Sequence, residues 1–139
     1  MTDTRGLDPL LDFTGKVVLI TGAAQGLGKL LAEELALRGA QLVLGDIKEE
    51  AVNDVANAIN SRNSKAIGLA CDVSTKSDCA AMVNAAVEAF GQLDIAVNNA
   101  GIAGEMKHVN DLTEADIVLQ FSVNAKGVMF GMQCQIPQM

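Results

Sequence analysis

Residues Lys16-Val17-Val18-Leu19-Ile20-Thr21-Gly22-Ala23-Ala24-Gln25-Gly26-Leu27-Gly28 decide how this chain is read. An unbroken apolar run, the pattern of a strand covered on both faces, ends at Thr21 and passes through three glycines into a helical pattern. Such a turn exposes backbone N–H groups at a helix N-terminus, where the aligned peptide dipoles favour an anion such as a pyrophosphate. The stretch predicts a dinucleotide-binding turn.

Working outward, the same alternation recurs along the chain. Apolar runs at 17–20, 42–44, 66–70 and 95–97 predict four parallel strands buried on both faces. Helical stripes lie between them: Leu27, Leu30, Leu31 and Leu35, then Val52, Val55, Ala56 and Ile59, then Cys79, Met82, Val83, Ala86 and Phe90. Glu49 and Glu50 suit a first helical turn, and Gly39 and Gly91 suit helix stops. Thr113 to Asp116 reads as a capping box opening a last helix that runs to about Pro137. This order predicts an α/β fold with right-handed crossovers, a doubly wound parallel sheet with strands in the order 3-2-1-4. Residues 1–14, without a sustained period, predict a flexible arm, and residues 15–139 a single domain.

Composition narrows the function. The net charge is −7 and the ten basic residues are scattered, which argues against nucleic acid as a partner. Cys71, Cys79 and Cys134 form no C-x-x-C pair and sit in apolar stretches, so they predict reduced thiols and a reducing compartment. The first dozen residues lack the pattern of a secretory leader, and no apolar stretch reaches membrane length. A cytoplasmic protein without membrane or metal partners is expected.

Thr21, Asp46, Asp72 and Asn98 each close a predicted strand, at intervals of 25, 26 and 26 residues. In an open parallel sheet, ligands bind beyond the carboxyl ends of the strands, so these polar residues converge on one site. Gly22, Gly26 and Gly28 depart from the spacing of the G-x-G-x-x-G fingerprint, but they have its strand-before, helix-after context. Asp46, 18 residues beyond Gly28, is positioned to accept hydrogen bonds from ribose hydroxyls and to repel a 2′-phosphate. Gln25 is neutral and Ile47 follows Asp46, so NAD is favoured over NADP, with Lys48 a cation able to reach in. A helix N-cap is the alternative role for both Asp46 and Asp72. Asn98-Asn99-Ala100-Gly101 suits close backbone approach by a ligand, or is a plain turn. Asn124 shares a helix face with Ile117, Phe121 and Val128 and must bond a backbone group, a water or a polar side chain. Gly127 and Gly131 predict close helix contact, a contact between subunits included. His108 reads as a solvated loop residue.

Together, Thr21-Gly22-Ala23-Ala24-Gln25-Gly26-Leu27-Gly28, Asp46, Asp72, Asn98-Asn99-Ala100-Gly101 and Asn124 resemble the short-chain dehydrogenase/reductase family, over roughly Phe13 to Pro137. The resemblance implies a Rossmann-type domain in which Gly22, Gly26, Leu27 and Gly28 hold the pyrophosphate, with Gln25 of the same turn also cofactor-binding. It implies Asp46, with Ile47 beside it, at the adenosine ribose, and Asp72 and Val73 at the adenine. Asn98, Ala100 and Gly101 would line the pocket near the ribose, and Asn124 would hold a water linking a catalytic lysine to solvent.

The implied function is NAD-dependent hydride transfer between the cofactor and a secondary alcohol or ketone, a small polyol among them, by a protein that is a homo-oligomer at full length. The family's serine and Tyr-x-x-x-Lys belong to a following strand and helix, whereas this chain stops at Met139 and contains no tyrosine. The expectation is therefore an incomplete piece: a sheet cut after the fourth strand and its helix, inactive alone, giving the cofactor-binding half. The alternatives are a non-catalytic dinucleotide-binding or subunit-interaction protein, and a doubly wound domain for a different phosphate ligand.

Overall fold

Val17–Thr21 (β1) is apolar because both of its faces are covered, and every residue in it is buried. In the computed structural model, which describes residues 8–139, β1 pairs in parallel with Gln41–Asp46 (β2) on one side and Ile95–Val97 (β4) on the other. Lys65–Ala70 (β3) pairs with the far edge of β2, giving the order β3-β2-β1-β4 that the sequence predicts. Leu19 sits at the centre of the register, opposite Val43 and Ala96.

The crossovers are Gly26–Leu37 (α1), Glu49–Asn60 (α2) and Lys76–Phe90 (α3). After β4 a long loop leads to Glu114–Phe121 (α4) and Gly127–Gln135 (α5). Strand alternation divides the core in two. Val18, Ile20, Leu42 and Leu44 pack with Ala32 and Leu35 of α1 and Val52, Val55 and Ile59 of α2. Val17, Leu19 and Val43 pack on the other face with Cys71 and with Cys79, Met82 and Val83 of α3, against which Val123, Phe130 and Cys134 rest half-buried. Truncating one such leucine to alanine costs about 2–5 kcal/mol.

Three expectations are corrected. First, only β1 is buried throughout, and β2 at its four central residues; β3 and β4 are half-exposed because each borders a single neighbouring strand. Second, only half of the expected leucine stripe of α1 faces the core: Leu35 is buried and Leu31 packs half-buried against it. Leu27 and Leu30 are 78% and 56% exposed, while Gly28, Ala32, Leu35 and Ala36 face the sheet. Small residues let this helix close on β1: a Cβ at Gly28 would collide with the Gly22 carbonyl. Third, the last helix runs unbroken to its expected end near Pro137 but is not regular along its length. Its Thr113 capping box is present, but Ser122–Lys126 form a π turn between α4 and α5. The extra residue rotates the stripe, leaving Ile117 and Phe121 exposed and Val128 half-buried.

Met1 to Leu7 lie outside the described residues. The rest of the expected arm contains a short 3₁₀ turn, Pro9–Leu11, and Phe13, whose N–H donates to the Arg38 carbonyl at 2.9 Å and whose ring packs on the first core. At the same end of the sheet the Asp94 carboxylate accepts from the Val17 N–H at 2.8 Å and the Gln92 amide at 2.6 Å, tying β4 to β1. The Val17 N–H is the main reason its carboxyl titrates below the usual range. All three cysteines are free thiols. Burial pushes the Cys71 thiol up to about 12, with Cys79 adding to it, and also raises Cys79, so neither is a poised nucleophile.

Candidate cofactor-binding site

The first turn of α1 offers unpartnered backbone donors. The opening N–H groups of a helix have no intrahelical partner, and here the N-cap residue Gln25 makes no side-chain cap. α2 and α3 carry Glu49, Glu50 and Asp78 in their first turns, whereas α1 has no acidic residue there. Gly22 and Gly26 adopt positive φ, which lets the chain fold back over the helix start without a side chain in the way. The donor set of Gly22, Gln25, Gly26, Leu27 and Gly28 thus fits a pyrophosphate in chemistry and in space.

This turn is stitched to the turn after β4. Thr21 is 4% exposed, and its Oγ1 accepts from the backbone N–H groups of Asn99 and Ala100, both at 3.1 Å. The Asn99 amide donates in return to the carbonyls of Thr21 and Gly22, at 3.0 and 3.2 Å. Sequence reasoning placed Asn99 only as part of a motif; its role is to hold two turns in register.

Asp46, at the end of β2, also reaches across. Its Oδ2 accepts from the Ala24 N–H and its Oδ1 from the Lys48 N–H, both at 3.0 Å. It is not the cap of α2, whose N-cap is Lys48. Each carboxylate oxygen keeps acceptor capacity for a hydroxyl. Ile47 beside it is 71% exposed, an apolar surface at the rim. The Lys48 ammonium donates to Gln25 Oε1 at 3.0 Å, a contact that closes the rim between the two turns.

Asp72 behaves differently. Its Oδ1 accepts from the Ser74 N–H at 2.9 Å and the Ser74 hydroxyl at 2.7 Å, a local turn, and its own N–H donates to Asp78. Val73 is buried, and Gly127 of α5 is small because a Cβ there would lie 2.7 Å from Val73 Cγ2. Gly131, likewise, faces Asn98. Both glycines therefore serve close contacts within the chain, which accounts for them without a subunit interface.

Asn98 and Gln135 exchange a reciprocal pair of amide hydrogen bonds at 3.0 and 2.8 Å. Gln135 is 4% exposed and did not stand out in the sequence, where Gln133 and Gln138 flank it and no spacing marks it from them. Asn124 occupies the π turn. Its amide accepts from the Ile102 N–H and donates to the Ile102 carbonyl, both at 2.8 Å, and a Cβ on Gly101 would approach its Oδ1 to 3.1 Å. The backbone partner that the sequence required is thus Ile102.

Gly22 to Gly28, Asp46, Asn98 to Gly101 and Asn124 share the carboxyl end of the sheet. A cavity of about 370 Å³ lined by Thr14, Gly39, Gln41, Asn63 and Lys65 opens at the opposite end and contains none of them. His108 lies on the exposed loop. Among the described residues no cluster of His, Cys, Asp and Glu is arranged to hold a metal, and no helix is long and apolar enough to cross a membrane.

A family model described as short chain dehydrogenase matches residues 16–139, and the chain belongs to that family. It is 39% identical over 129 residues to the "Probable tetrahydroxynaphthalene reductase" of Zymoseptoria tritici, covering 92% of this chain and 46% of that protein. It is 37% identical over 123 residues to the (S)-acetoin-forming diacetyl reductase of Staphylococcus epidermidis, covering 88% of this chain and 48% of the relative. In structure it matches a short chain dehydrogenase/reductase of Burkholderia phymatum in complex with NAD, with a TM-score of 0.88 and 36% identity, over 92% of this chain and 45% of the other. The chain thus spans about half the length of the relatives it matches.

Proposed function

We propose that this chain is the NAD-binding half of an oxidoreductase that moves hydride between NAD(H) and a secondary alcohol or its ketone, small polyols among them. The observation that carries the reading is the uncapped, acid-free start of α1 facing Asp46, whose carboxylate bonds Ala24 in the glycine turn. Gly22, Gln25, Gly26, Leu27 and Gly28 bind the pyrophosphate. Asp46 holds the ribose hydroxyls, Ile47, Asp72 and Val73 border the adenine, and Asn98, Ala100 and Gly101 close the floor.

When bound, the cofactor supplies or accepts the hydride. Asn124, fixed on the Ile102 backbone, orders the protein side of a proton path. The chain contains no tyrosine to exchange a proton with the substrate oxygen, so these 139 residues bind the cofactor without turnover. The reduced thiols are in keeping with a cytoplasmic setting, and the exposed apolar residues of α4 and α5 with oligomerisation at full length.

Calorimetric titration of the chain with NADH tests this. Saturable binding with no oxidation of secondary alcohols is expected. Absence of binding to any dinucleotide would sink the reading.

A further inference from the structure

Resting on that dinucleotide reading, we propose that Gln135 is a positioning residue of the cofactor site: its carboxamide, paired with Asn98, pins one end of segment 98–102 to α5 and so fixes the floor on which the dinucleotide lies.

Segment 98–102 follows β4, and a single helical stretch holds it at both ends. At the far end Asn124, in the π turn, accepts from the Ile102 N–H and donates to the Ile102 carbonyl. At the near end the Asn98 amide donates to Gln135 Oε1, and the Gln135 amide donates back to Asn98 Oδ1. Between the two ends, Thr21 of β1 holds the N–H groups of Asn99 and Ala100. The lengths match. Eleven residue steps of helix from Asn124 to Gln135 rise about 16 Å, and the four steps from Asn98 to Ile102 reach at most about 14 Å. The π turn and α5 therefore form a splint laid antiparallel to the segment, with Asn124 and Gln135 as its two pins.

A buried amide is costly unless both its donor and its acceptor are met, and for Gln135, buried in the chain, Asn98 meets both. A glycine makes the pairing possible, because a Cβ on Gly131 would run into both amides. Among the described residues, Gln135 is the only side chain that bonds the Asn98 amide. Without that pin the start of the segment can rock about Thr21, and only chains with the floor in place bind. The apparent Kd then rises in inverse proportion to that fraction. Gln135 thus acts on affinity through Asn98, without touching the ligand.

The experiment titrates NADH calorimetrically into the native chain, Gln135→Met, Gln135→Asn, and the exchange that combines Asn98→Gln with Gln135→Asn. Each is titrated at a temperature where circular dichroism shows it fully folded. A role confined to stability lowers the melting temperature and leaves the Kd of the folded chain alone. Methionine keeps the bulk and removes both bonds, so Gln135→Met is expected to raise the Kd about tenfold, as when about a tenth of the chains hold the floor in place. Gln135→Asn is the milder variant, one methylene short of Asn98, and is expected to raise it about threefold. The exchange restores the combined length of the two amides and is expected to recover most of that loss. An unchanged Kd in both single variants overturns the role of Gln135 while leaving the dinucleotide site standing. An exchange no better than Gln135→Asn alone overturns the route through Asn98. A native chain that binds no NADH overturns both readings.

Discussion

Asp46 and Asp72 look alike in the sequence, each closing an expected strand one βα unit apart, although Asp46 is the last residue of β2 and Asp72 lies two residues beyond the end of β3. Their carboxylates do different things. Asp46 spans 22 residues of chain to bond Ala24, so it joins two turns, whereas Asp72 bonds only Ser74, two residues on. The difference teaches that position at a strand end is not enough. A carboxylate that bridges turns has its direction fixed by the fold, and one that closes its own turn is fixed by its neighbours in sequence.

The bridging side can be broken most severely at Thr21. Thr21→Val keeps the shape but leaves the Ala100 N–H without its acceptor and the Asn99 N–H with only the Val97 carbonyl, at a cost of about 1–3 kcal/mol. A fall in the denaturant midpoint at unchanged slope checks it. Asp46→Ala is expected next: at least tenfold weaker NADH binding, and about 1–2 kcal/mol of stability, from the unpaired Ala24 and Lys48 N–H groups. If NADH affinity survives this change, the ligand is not held by its ribose. Asp72→Ala should do less on both counts, with a few-fold loss of affinity and less than about 1 kcal/mol, because Ser74 and water can rearrange. Equal effects of the two aspartate variants would erase the comparison.

The smallest effect is on pH. Asp94 and Asp116 both titrate below the ordinary carboxyl range in the folded chain, Asp116 at about 2 because it accepts from the Thr113 backbone, from Lys107 and from the Thr113 hydroxyl. A depressed folded pKa gives stability that is present above the unfolded value near 4 and is lost as pH falls through the folded one. Thermal melts should therefore be level from neutrality to about pH 4 and decline between about 4 and 2. In Asp94→Asn that decline should be shallower.

The sheet order and strand positions were legible because buried parallel strands write themselves as unbroken apolar runs, as in Val17 to Ile20. The helix faces were less so. Leucine marks a buried stripe only where space allows it, and α1 approaches the sheet through Gly28 and Ala32, which carry almost no hydrophobic signal. The π turn was illegible because a surplus residue leaves the polar and apolar composition untouched. At the site, the glycine turn and Asp46 could be read from spacing. The Asn98–Gln135 pair and the Lys48–Gln25 contact join residues far apart in the chain, and nothing local announces them.

The π turn at Ser122–Lys126 also amounts to a one-residue insertion in the middle of a helix. Deleting a residue there, Ala125 for instance, would restore a regular helix and turn everything on its N-terminal side by about 100° relative to α5. Asn124 would swing off the Ile102 backbone, and the loop that Lys107 ties to Asp116 would lose its footing. The segment is therefore a frame mark: substitutions within it are tolerable in principle, but its length is not free to change. Gaps in an alignment of kindred chains should avoid these five positions.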